Sequence, residues 1–144
     1  MRTGTIALLL ALLLASGAQA TDLGGGDEAR RFSGLWEGID PGDGSLTQRA
    51  ITCGADGTCA VLGSDSFFSL CSGAQGILEG SGILEAGVLV VPAFTLSCSN
   101  GAAVSVDTTF TPDLRNATLI EQTVNPEIAA ITFHRLSLPP HGRR

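Results

Sequence analysis

Thr47–Gly63, TQRAITCGADGTCAVLG, is the stretch on which the fold class turns. Its two arms, Thr47 to Cys53 and Thr58 to Gly63, hold Thr, Ile, Val and Leu and read as strands. Between them Ala55-Asp56-Gly57 suits a three-residue hairpin loop, with Gly57 in the left-handed backbone region that a residue lacking Cβ enters freely. With that loop, Gly54 pairs with Thr58 and Cys53 falls opposite Cys59. Residues opposed at a non-hydrogen-bonded position lie about 4.5 Å apart at Cα, within disulfide range. Cys71 then pairs with Cys98. A slip of one residue in register removes the first bridge, and the other two pairings of four cysteines stay open.

Outward from this hairpin, strand-like runs and turn residues alternate across a single domain from 32 to 138. The further runs are Ser33 to Ile39, Ser66 to Cys71, Gly76 to Glu85, Val88 to Ser97, Ala102 to Thr111, Ala117 to Val124 and Ala129 to Ser137. Asp40-Pro41-Gly42-Asp43-Gly44-Ser45, Ala86-Gly87, Ser99-Asn100-Gly101, Pro112 to Asn116 and Asn125-Pro126-Glu127 separate them as turns or loops. Within one run Val104, Val106, Thr108 and Phe110 share a face opposite Ala103, Ser105, Asp107 and Thr109, the period of a half-buried strand. Strands at roughly eight-to-twelve-residue spacing, with no convincing helix, predict an all-β domain. The expected architecture is a small antiparallel up-and-down barrel of about eight strands, with a two-sheet β-sandwich as the alternative.

The ends of the chain read differently. Arg2, the apolar run Ile6 to Ala15 and the small-x-small Ala18-Gln19-Ala20 form the pattern of a cleaved signal peptide over 1–20. That run has half the roughly twenty residues a membrane helix needs, so no span is expected after cleavage. Residues 21–31, TDLGGGDEARR, predict a flexible leader, and 139–144, PPHGRR, a disordered tail. Export to a periplasm or out of the cell makes two disulfides the expectation for Cys53, Cys59, Cys71 and Cys98. Removing Arg2 with the leader takes the formal net charge from −6 to about −7, which argues against nucleic acid and anionic membranes as partners. Lys and Tyr are absent altogether, a compositional bias that points to a GC-rich bacterial source.

Gly34-Leu35-Trp36 opens the first strand directly after the leader, and the last strand carries Arg135 in Thr132-Phe133-His134-Arg135-Leu136. This Gly-x-Trp start with a basic residue on the final strand resembles the calycin signature of lipocalins, avidins and related barrels. The resemblance implies that Trp36 closes one end of a barrel and that Arg135 packs across its indole, a contact worth roughly 0.5–2 kcal/mol. The second lipocalin motif, Asp-x-x-x-Thr-Asp-Tyr, has no counterpart in a chain without Tyr.

Catalytic patterns are missing. His134 is the one credible base; it sits on the strand face opposite Ile131 and Phe133, and no Gly-x-Ser-x-Gly accompanies it. Asp40 and Asp43 fall in a turn, where Asp bonds the backbone, and their spacing fits no standard calcium loop. Four cysteines without a Cys-x-x-Cys, and histidines distant from them, predict no metal site. Gly24-Gly25-Gly26 has neither the preceding strand nor the lysine of a phosphate loop, and Asn116-Ala117-Thr118 is a formal glycosylation sequon of no expected use. The expected function is that of a non-enzymatic binding module without cofactor, holding a small apolar ligand among Phe67, Phe68, Phe94, Phe110 and Phe133. A protein-interaction or protease-inhibitor module, with 21–31 as its arm, and a structural envelope protein are the alternatives.

Overall fold

A computed structural model describes residues 24–136, so the expected signal peptide and C-terminal tail lie outside the described residues. Eight strands follow one another: β1 (Gly34–Ile39), β2 (Leu46–Cys53), β3 (Thr58–Asp65), β4 (Gly76–Glu85), β5 (Val88–Cys98), β6 (Ala103–Asp113), β7 (Thr118–Thr123) and β8 (Ile131–Arg135). Each is antiparallel to its neighbours in sequence, and β8 returns to β1 through the pairs Trp36–Arg135, Glu37–His134 and Gly38–Phe133. The sheet is therefore a closed up-and-down barrel and not a two-sheet sandwich. Closure removes every unpaired edge along the ladder.

The deciding hairpin folds as its turn residues dictate. Gly54 N–H donates to Thr58 O at 2.8 Å, Gly57 has φ +82°, and Cys53 lies opposite Cys59 with 4.0 Å between Cα atoms. The second bridge joins Cys71 to Cys98, and no cysteine is left free.

Two elements depart from expectation. Ser66 to Cys71 is not a ninth strand; it crosses one end of the barrel and tightens into a 3-10 turn at Ser69–Cys71. A closed barrel has no edge to receive another strand, and Phe68 and Cys71 gain more by packing on Leu96 across the opening. Residues 21–31 are not uniformly flexible either, because Gly24–Phe32 forms helix α1. Three glycines cost such a helix up to about 1 kcal/mol each. Burial of Ala29 and of Phe32, which is 0 % exposed, outweighs that cost. Asp27 in the first turn and Arg30 and Arg31 in the last suit the helix dipole, and Asp27 pairs with Arg30.

One cluster fills the barrel toward this helix: Phe32, Trp36, Ile51, Val61, Leu89, Val91, Phe94, Phe110, Leu119, Ile131 and Phe133. Phe94 meets Phe110 edge to face at 5.9 Å. Pro92 stands where the β5–β6 register shifts between Val91 and Phe94, a position that needs no ladder donor. The connections at 54–57, 86–87 and 114–117 gather at the α1 end, the base. Those at 40–45, 66–75, 99–102 and 124–130 gather at the other, the mouth.

Candidate functional site: the mouth of the barrel

At the base, Trp36 and Arg135 lie next to one another in register across the β1–β8 seam. The Arg135 guanidinium carbon is 4.4 Å from the indole centre. The same guanidinium donates from Nη1 to Ser33 O at 2.8 Å and from Nη2 to Arg30 O and Arg31 O, satisfying carbonyls at the end of α1 that have no partner within the helix. Trp36 Nε1 donates to Phe32 O at 2.7 Å. The base is thus sealed by side chain, helix end and indole together.

The mouth is built from other material. Alternation along β2 turns Thr47, Arg49 and Ile51 inward, and Arg49 is buried in the barrel. Its Nε donates to Glu121 Oε2 at 2.7 Å and its Nη2 to Glu121 Oε1 at 3.3 Å, a side-on fork. Nη1 donates to Thr47 Oγ1 at 2.7 Å and to Asp65 Oδ1 and Gln48 O at 2.9 Å. Thr47 in turn donates to Asp65 Oδ1. The guanidinium carbon is 5.3 Å from the Phe133 ring centre and 5.8 Å from that of Phe94. Gly63 makes the space: a Cβ there would come within 2.9 Å of Arg49 Cδ and Nη1. Burial pushes the Glu121 carboxyl above its ordinary value, against the pull of Arg49.

Above this floor a cavity of about 100 Å³ opens to solvent. Its walls include Phe68, Phe94, Leu96, Val106 and Thr108, with Asp40 and Asp43 at its edge. Each of those aspartates holds its own turn, Asp40 Oδ1 accepting from Gly42 N at 2.7 Å and Asp43 Oδ1 from Ser45 N at 2.9 Å. A wider depression of about 560 Å³ on the outer wall, between Thr52, Ala60, Ile83 and Pro92, has no charged side chain and lies open.

No family model, curated protein or solved structure matches this chain. The site therefore rests on its own chemistry.

Among the expected interior aromatics, Phe94, Phe110 and Phe133 are buried, and Phe94 alone of the three lines the cavity. Phe67 is a correction: it stands 51 % exposed on the rim, while Phe68, next in sequence, is 5 % exposed and turned inward. The reason is the loop around the 3-10 turn, whose backbone does not follow strand alternation. His134 is exposed on the outer wall, opposite Glu37. Among the described residues no group of three metal-ligating side chains converges. Sequence reasoning missed Arg49, Asp65 and Glu121. A signal existed for Arg49, which shares strand parity with Ile51 and Cys53 and so had to point where they point.

Proposed function

We propose that this protein is an exported, non-enzymatic binding module of the calycin-like kind, whose mouth cavity receives the end of a small, largely apolar ligand. The observation that carries this reading is the cavity of about 100 Å³ between Phe68, Phe94 and Leu96, floored by a packed core. It is smaller than the roughly 300 Å³ at which ligand pockets usually begin, so it holds a compact group or the tip of a longer molecule. Two disulfides are compatible with an oxidising compartment. The stacking of Arg135 on Trp36 supports the calycin resemblance.

The test is a titration with small phenyl compounds followed by backbone amide shifts. Binding appears as shifts confined to residues 66–75, 94–106 and 121–131, and Val106→Phe, which fills the cavity, abolishes them. A folded protein that shifts nowhere in the mouth with any such probe refutes the reading.

Exposed apolar side chains on the rim favour a second reading, a protein-interaction module. Phe67, Leu70, Val104 and Ile128 all border the cavity and are exposed. An N-terminal arm drawn from 24–31 does not serve that reading, since those residues are docked as α1. The contact would be the rim itself.

A further inference from the structure

Resting on the mouth-cavity reading, we infer that the cavity selects a small organic cation: a primary ammonium carried on a compact apolar body. Four carboxylates, Asp40, Asp43, Asp65 and Glu121, line it against one guanidinium, that of Arg49. The guanidinium is already committed: Nε and Nη2 hold Glu121, and Nη1 is shared among Thr47, Gln48 O and Asp65. An incoming anion would have to displace those partners and would meet the uncompensated carboxylates. Asp65 points the other way in its chemistry. Its side chain is nine-tenths buried, its Oδ1 accepts from Thr47 and Arg49, and its Oδ2 takes no hydrogen bond among the described residues. That second oxygen is not buried but stays open to the cavity that Asp65 lines, an acceptor within reach of an incoming donor. An ammonium is donor only, with three N–H bonds, and matches a site whose vacancies are acceptors. Phe68, Leu96 and Val106 supply the walls against which the apolar body loses water.

The electrostatics of the cavity reinforce this. Burial is the main cause of the raised Glu121 pKa, and repulsion from Asp65, which shares the Arg49 guanidinium with it, and from Asp40 adds to it. One cation among them relieves that repulsion, whereas a neutral isostere does not.

The experiment compares three ligands of one shape on the purified secreted protein near pH 7: benzylamine as the cation, benzyl alcohol as the neutral isostere and benzoate as the anion. Amide shifts at the mouth give each dissociation constant. Benzylamine is expected to bind about tenfold or more tightly than benzyl alcohol, as a charge-assisted hydrogen bond implies, with benzoate weakest. Added salt should weaken the amine and leave the alcohol unmoved. Asp65→Asn should abolish the preference for the amine over the alcohol. Equal or tighter binding of the alcohol or benzoate overturns the cation assignment while the cavity reading stands. Silence from all three ligands overturns both. A folded Asp65→Asn variant that keeps the full preference for the amine also overturns the assignment. The isostere series and its salt dependence are read on the unaltered protein, so they decide the matter even if that variant does not fold.

Discussion

Arg49 shows how one side chain organises an interior that its neighbours would leave greasy. A buried guanidinium is tolerable when every charge around it is bonded, and its fork to Glu121 meets that condition. Removing one partner strands the other, so Arg49→Met should cost about 3–5 kcal/mol in urea unfolding. The double change Arg49→Met with Glu121→Leu should recover part of that loss, because Glu121 is then no longer stranded, while Asp65 still lacks its cation. Glu121 also sets a pH dependence. Burial raises its folded pKa above the unfolded value of about 4.3, so the folded state binds the proton more tightly. Its contribution favours the fold at low pH and is lost as pH rises from that value toward the raised one. Stability measured upward from about pH 4 should therefore fall less steeply with rising pH in Glu121→Gln than in the parent protein.

Elements explain what the sequence concealed. The hairpin at β2–β3 was legible because Gly57 and the two flanking strands agree on one register, and that register carries the cysteines into apposition. Helix α1 was illegible because its propensity is poor and its stabilisation is tertiary: Phe32 enters the barrel base and Arg135, more than a hundred residues on, binds its last carbonyls. Phe32→Ala should cost about 3–5 kcal/mol and raise amide exchange throughout 24–33. Arg135→Lys keeps the charge yet loses the planar fork that reaches two successive carbonyls, so exchange at α1 should rise in it too. The candidate site was half legible. Phe94 shares its face with Leu96 but reaches the interior only through the register shift at Pro92–Ala93, which reverses the parity set by Leu89 and Val91, whereas the inward turn of Phe68 depends on a loop whose shape is set by the Cys71–Cys98 bridge and the barrel opening.

At the scale of the molecule, the two disulfides sit at opposite ends and close loops of different length. Cys53–Cys59 spans 6 residues at the base, and Cys71–Cys98 spans 27 and ties the mouth loop to β5. Loop-closure entropy scales with that separation, giving about 2 kcal/mol for the first and about 3.5 kcal/mol for the second. Paired Cys→Ser replacements, compared by denaturant midpoint, should rank in that order. The meander was readable because spacing, turn chemistry and strand period agree, whereas its closure was not, since the same runs suit a two-sheet sandwich and the choice is made by the long-range β1–β8 pairing.

Trp36 is the chain's one tryptophan, and it lies under the Arg135 guanidinium with its N–H on the end of α1. Intrinsic fluorescence consequently comes from a single emitter at the sealed pole. Its wavelength and quenching register the undocking of α1, while occupancy at the opposite pole leaves the emission dark to change. Light and magnetic resonance together thus follow the two poles separately in one unlabelled sample.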